Sequence, residues 1–381
     1  MRVGIIGGGI GGLATAIALE LRGVETIVLE QAPGLGRVGA DINLTPNAVR
    51  ALDGLGVGDR IRETAARPTH RISRTWDTGE ETSRLPMSDA AQERYGAPQL
   101  TMHRADLLDA LTAALPADRL RLGKRLVRIE EGPDSVVAHL EDGSTETVDL
   151  LVGADGIHSV VRSALLGEEH PEFTGVVAYR AVVPVETVSA TVQNLDAFTK
   201  WWGPDAATQI VTFPLNQGKD VFIFATTPQD SWREESWTCP GDVVELRAAY
   251  AGFHPEARTL LDACTSVLKS ALYVRDPLPR WSTSRVTLLG DACHPMMPFM
   301  AQGAGQAIED AVVLSRCLTE PGDDIRPGAQ RDPAARLQRY EETRRERTAL
   351  IQVGSRENNW LKAAGNGDWV YEYDAWTVPL A

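Results

Sequence analysis

The 381-residue sequence contains only four cysteines, and none is paired in sequence: Cys239, Cys264, Cys293 and Cys317 stand singly, without a C-x-x-C spacing. That argues against a zinc site, an iron–sulfur cluster or a dithiol redox centre, so no metal is expected, and it fits a reducing, cytoplasmic setting. No stretch approaches the ~18 uninterrupted apolar residues of a membrane span. Positive charge is also scarce. With 38 Lys and Arg against 52 Asp and Glu, the formal charge is −14. Nucleic acid, whose phosphates need a basic face, is therefore a poor partner. An acidic small molecule is not excluded, because local arginines override the net field. Repeats and low-complexity tracts are absent, and the length suits two coupled domains, as a monomer or homodimer.

What is present begins at once. The apolar run Val3-Gly4-Ile5-Ile6 leads into Gly7-x-Gly9-x-x-Gly12, an Ala- and Leu-rich helical stretch, and a second apolar strand, Thr26-Ile27-Val28-Leu29, ending in Glu30. Gly7 permits the tight turn, Gly9 lets the backbone approach a pyrophosphate, and Gly12 brings helix against strand. The free N–H groups around Ile10 and Gly11, at the positive end of the helix, would face the phosphates. Glu30 lies 18 residues past Gly12, close to the roughly 20 expected of an acid that binds a ribose hydroxyl. Arg2, the apolar run and Ala14-Thr15-Ala16 superficially resemble a signal peptide. Six glycines between residues 4 and 12 make that reading a poor one.

Further along, Thr45-Pro46-Asn47 starts a helix through Leu52, and Arg71 to Trp76 alternates as a strand before an Asp77-Thr78-Gly79 turn. A helix begins at Met102–Leu108, paired strands follow at Arg125–Glu130 and Ser135–Leu140, and Leu150–Gly153 reads as a buried strand. From about 170 to 279 alternating segments (Val176–Val185, Gln209–Phe213, Val221–Thr226) suggest an antiparallel sheet. Residues 285–318 return to the earlier style, with a helix from about Gly305 to Leu318, and a charged helix spans Ala334 to Gly354. The expected fold class is α/β. A Rossmann-type nucleotide domain (1–70, 98–169 and 280–333) is interrupted by a β-sheet substrate domain (71–97 and 170–279) and followed by a C-terminal helix and tail (334–381).

Two more motifs join the first: Gly153-Ala154-Asp155-Gly156-Ile157-His158-Ser159-x-x-Arg162, and Leu289-Gly290-Asp291-Ala292-Cys293-His294-Pro295 running on to Pro298-x-x-Ala301-Gln302-Gly303. In this order and spacing the set resembles the FAD-dependent aromatic hydroxylases, the single-component flavoprotein monooxygenases, over essentially the whole chain. The resemblance implies FAD as cofactor, NADH or NADPH as a transient reductant, O2 as co-substrate, and hydroxylation of a small aromatic ring through a flavin hydroperoxide. It places Asp155, Gly156 and Arg162 near the pyrophosphate and the nicotinamide path, Asp291 on the ribityl chain, Gly290 and Gly303 beside the isoalloxazine, and Arg37 and Arg104 near the cofactor. A second strand-linked G-x-G-x-x-G, needed for a resident nicotinamide domain, is missing, as it is in that family.

The tail and the Lys200-Trp201-Trp202 segment are similar to the branch containing salicylate hydroxylase and 6-hydroxynicotinate 3-monooxygenase. Where that branch reads Gly-Ala-Gly-Ile-His, this chain has Gly39-Ala40-Asp41-Ile42-Asn43. The position of a catalytic-base histidine is thus Asn43, which cannot take a proton at neutral pH. A second pocket histidine is Phe299 and a substrate-facing tyrosine is Phe213. The expected pocket is Asn43, Tyr179, Arg180, Phe213, Pro298 and Phe299, holding a ring more apolar than hydroxynicotinate or already electron-rich. An epoxidase, a decarboxylating hydroxylase and a non-catalytic flavin-binding protein remain as alternatives.

Overall fold

Nearly unbroken Val, Ile and Leu in Arg2–Ile6, Glu25–Leu29 and Leu150–Gly153 suit strands covered on both faces, and these strands form the centre of a parallel sheet. The protein is described by a computed structural model over residues 1–36, 41–232, 239–320, 332–356 and 367–381. The sheet runs in the order Val286–Leu288, Leu150–Gly153, Arg2–Ile6, Glu25–Leu29, Leu120–Arg121, with Ile5 registered between Val152 and Val28. Helices Ile10–Glu20 and Gly303–Thr319 pack together on one side. A three-stranded antiparallel sheet (Leu126–Glu131, Val136–Leu140, Thr145–Val148) lies on the other, its Val148 seated against Gly4.

Helix Gly303–Thr319 is buried all round from Gly305 to Leu318 although it carries Glu309 and Asp310. Such charges persist in a core only when matched. Arg344, from the helix Pro333–Gly354, donates to Asp310 through Nε and to Glu309 through Nη1, both at 2.7 Å. Arg347 reaches Glu309 at 3.0 Å, and His294 meets Asp310 at 2.5 Å. Both carboxyls are held below their usual range, burial opposing the shift and the surrounding cations outweighing it. Charged as it is, the long helix places one of its arginines, Arg344, in the core.

The second sheet has eight strands in the order Pro240–Gly241, Val267–Val274, Glu172–Pro184, Asp220–Pro228, Gln209–Leu215, Phe198–Trp202, His70–Thr75, Glu81–Pro86. It is antiparallel except where Phe198–Trp202 runs parallel to His70–Thr75, a pair contributed by distant parts of the chain. Period-two alternation sends Val177, Tyr179, Trp201, Ile210 and Ile223 to one face, under helices Val243–Ala249 and Pro255–Asp262. Ala178, Phe198, Val211, Phe213, Phe222 and Phe224 go to the other face, toward Met297 and Phe299. Pro255 at the first position of one helix and the Asp242 cap of the other mark their starts, whereas Ser88–Tyr95 in the 71–97 excursion has no side-chain cap and only a weak apolar stripe.

Candidate active site

The Gly7 turn is forced by its surroundings. Gly7 has φ +106°, and a side chain there would strike the Ala154 carbonyl. A methyl on Gly12 would collide with the Gly7 carbonyl oxygen. At Gly9 the backbone is ordinary (φ −76°) and a methyl would meet nothing within 4 Å. Gly9 is thus a glycine that makes room rather than one that relieves strain. It caps helix Ile10–Glu20 without any side-chain cap and with no acid in the first turn, leaving the N–H donors there available to an anion. Gly11 serves packing, with Leu289 and Ala307 against it. Ile10 is core.

Glu30 is tied back onto this turn, accepting from the Gly8 N–H at 2.6 Å and the Ala32 N–H at 2.7 Å. Arg104, at the start of helix Arg104–Ala113, stands between Glu30 and Asp291. Burial lowers the Arg104 pKa, while the charges of Asp291 and Glu30 raise it, so one guanidinium lies within electrostatic reach of both. Asp291 is open to solvent, yet protein around it pushes its carboxyl up, with His294 and Arg104 opposing. Gly303 faces the same space: a methyl there would approach only Met296 at 3.9 Å and Asp291 Oδ1 at 4.0 Å. Gly290, at φ +60°, donates to Asp310 and so ties this turn to the buried ion network.

The second motif lies against the Gly7 turn, where a side chain on Gly7 would meet Ala154 and Asp155, and its own side chains engage the protein. Asp155 accepts from the Ser159 hydroxyl (2.5 Å) and the Val160 and Val161 N–H groups (2.8 and 3.2 Å), so its carboxylate caps helix Val160–Leu166. Gly156 supplies the left-handed turn (φ +79°) before that helix. Arg162 is buried and ion-paired with Glu169 rather than open to the groove. Arg37 lies outside the described residues.

The expected substrate residues divide by strand face. Arg180 points to the groove side of the sheet, where Nη1 donates to Ser270 Oγ at 2.5 Å and the guanidinium lies over the Phe224 ring. Tyr179, its neighbour on the strand, necessarily points the other way. It is core beneath the helices, next to Glu245, and is removed from the pocket. Phe213 forms the floor, stacked on Phe198 (5.2 Å, 7°) and tilted against Phe222 (4.9 Å). Phe299 packs against this group from the Pro298–Met300 turn, where Pro298 is exposed. Asn43 sits on strand Ile42–Leu44, its carbonyl oxygen accepting from Gln99 Nε2 at 2.8 Å.

Sequence reasoning missed Arg71. It shares the groove face with Phe198, over whose ring its guanidinium lies at 5.1 Å, and burial lowers its pKa. Among the described residues no carboxylate pairs with it. The signal was available: Ile72 and Arg74 alternate with Arg71, and burying them turns Arg71 to the opposite face.

The donor set fits FAD. A roomy glycine at a bare helix N-terminus suits a pyrophosphate, an acid beside it suits a ribose, and a solvent-exposed carboxylate beside open Gly303 suits a polyol chain and ring. Comparison with known proteins agrees. The family model described as FAD binding domain matches residues 1–352. Over 380 residues the chain is 41% identical to 6-hydroxynicotinate 3-monooxygenase of Bordetella bronchiseptica, covering 100% of this chain and 97% of that one. A solved salicylate hydroxylase substrate complex superposes with TM-score 0.82 at 29% identity, over 98% of this chain and 96% of that one. Klebsiella pneumoniae HpxO complexed with FAD and uric acid gives TM-score 0.82 at 28% identity, over 97% and 90%.

Proposed function

The chain belongs to the FAD-dependent aromatic hydroxylases, and from that premise we propose that its substrate is a small aromatic or N-heteroaromatic acid, hydroxylated with O2 and NAD(P)H. The observation that carries the acidic substrate is Arg71, a half-buried guanidinium on the groove face with no carboxylate partner among the described residues. A desolvated cation of this kind is costly unless a ligand supplies the counter-charge. On this reading the ring is anionic, where the sequence alone led to one more apolar than hydroxynicotinate or already electron-rich.

When bound, FAD would carry electrons from NAD(P)H to O2 and so make its oxygen electrophilic; the chain's own residues position the ring and control its charge. Arg71 and Arg180 stand on strands separated by three others in the sheet, about 19 Å apart at a strand spacing of roughly 4.8 Å. Two long side chains reaching inward from those positions leave the span of one small ring over Phe213. Phe198, Phe213, Phe222 and Phe224 offer an apolar floor that excludes water. Arg71 holds the anionic group and so fixes the ring's orientation.

The test is a matched pair of probes, 3-hydroxybenzoate and its amide, followed by flavin absorbance and NADH oxidation. The acid is expected to perturb the flavin and stimulate oxidation, and the amide to do neither. Arg71→Gln should raise KM for the acid on the order of 100-fold, the usual scale for removing one partner of a desolvated charge pair. Equal response to acid and amide would refute the anionic substrate.

A further inference from the structure

Asn43 occupies the position where the resemblance placed a base, and its oxygen is already engaged by Gln99. The reaction still gains from removing a ring proton, because electrophilic oxygen attacks an electron-rich carbon fastest. Most carboxylates around the site already have work to do. Glu309 and Asp310 are locked by Arg344, Arg347 and His294. Asp155 caps a helix through both oxygens. Glu30 is held by two backbone N–H groups, and Asp291 stands at the cofactor turn beside Arg104.

Asp41 is different. It immediately precedes strand Ile42–Leu44, which pairs with Leu100–Met102, and Thr101 of that partner donates to the Pro214 carbonyl at the end of the Phe213 strand. Asp41 is thereby carried to where the nucleotide module meets the substrate sheet, and Arg180 from the sheet's groove face is the charged group that faces it among the described residues. It is half-buried, neither sealed in the core nor free in solvent. No side chain among the described residues hydrogen-bonds it.

Resting on the aromatic-acid reading above, we propose that Asp41 is the catalytic base, receiving the proton of a ring hydroxyl or ring N–H, and that the substrate accordingly bears such a donor as well as its anionic group. The O–H or N–H bond breaks, its proton moves to a carboxylate oxygen of Asp41, and the electron pair stays in the ring, enriching the carbon that is hydroxylated. NAD(P)H supplies the two electrons; one oxygen atom of O2 enters the ring as hydroxyl and the other leaves as water, the displaced ring C–H proton returns to the ring oxygen or nitrogen, and Asp41 gives its proton back to solvent after product leaves. Burial raises the Asp41 pKa from 3.8 to about 6, with Arg180 opposing. A carboxyl near that value is a far better proton acceptor than an ordinary one and is still ionised at neutral pH. Because the ionised form acts, kcat/KM rises with pH through the region of 6 and then levels.

The experiment uses the FAD-loaded enzyme with 3-hydroxybenzoate and 6-hydroxynicotinate as probes, scoring hydroxylated product from pH 5 to 9. Asp41→Asn is expected to lower kcat about 100-fold, the lower range for general-base loss, to leave KM and the ligand-perturbed flavin spectrum nearly unchanged, and to erase the acid limb. Asp41→Glu should restore a limb. Adding Asn43→His to Asp41→Asn should restore one near the ordinary imidazole value of about 6.5, which a merely structural role for Asp41 would not allow. If neither probe perturbs the wild-type flavin, the aromatic-acid reading falls and the base with it. If both probes are turned over and Asp41→Asn keeps its limb and its kcat, only the assignment of Asp41 falls.

Discussion

Along the nucleotide wall of the groove, Gly7, Gly9, Gly12 and Gly303 present backbone and empty space. On the facing sheet, Arg71, Phe198, Phe213 and Arg180 present side chains. The first wall recognises by shape and N–H direction, which tolerates almost no added atoms. The second recognises by charge and ring contact, and its residues can be exchanged without disturbing the backbone that carries them. One wall is therefore suited to a fixed cofactor and the other to a substrate that differs between relatives.

The severest way to break the contrast is to remove the support beneath the nucleotide wall. Arg344→Met leaves Glu309 short of one cation and Asp310 facing only His294, and loss of one partner of a buried pair costs roughly 3–5 kcal/mol. Thermal unfolding and FAD retention should both suffer. The same network gives a pH signature. Glu309 and Asp310 are held below their usual pKa in the folded state, so they stabilise the fold above the unfolded values near 4. That contribution drains away as acidification passes through the folded values. Unfolding midpoints measured from pH 7 downward should fall in that acid window, and less so in Arg344→Met.

Next in size is a pair of single methyl groups. Gly12→Ala drives a methyl into the Gly7 carbonyl and should abolish FAD binding together with several degrees of thermal midpoint. Gly9→Ala meets no atom of the chain, so the apoprotein should unfold at the wild-type temperature while its FAD affinity, read by fluorescence titration, drops at least tenfold. Equal stability losses in both variants would erase the distinction between a glycine for strain and a glycine for space.

The smallest effect is expected at Tyr179. Its hydroxyl faces Glu245 beneath the helices, so Tyr179→Phe should cost on the order of 1 kcal/mol of stability and leave kcat within twofold. A large kcat loss would return Tyr179 to the substrate wall.

The nucleotide wall was legible in the sequence because its logic is local: strand, glycines, helix and acid occupy one short stretch. The substrate wall was legible only in part. Tyr179 and Arg180 cannot both face one groove from adjacent places on a strand, and only knowing which face the helices cover decides between them. Arg71 enters from a strand that joins the sheet through a parallel pairing with residues far along the chain, a pairing that hydrophobic pattern does not announce. Asp155 and Arg162 carry the motif faithfully, yet their side chains serve a helix cap and a buried ion pair. Motif matching identifies the segment; hydrogen bonds assign the work within it.

Gly11 closes against Leu289 and Ala307, residues separated from it by most of the chain. The cofactor turn is written early but acquires its final wall only when the helix Gly303–Thr319 docks on the helix Ile10–Glu20. Pairings of such long range form late in folding. Flavin capture is thus a report on completed folding: a chain that has not threaded out through the substrate sheet and back has nowhere to keep it, and the yellow colour of a preparation measures the fraction that finished.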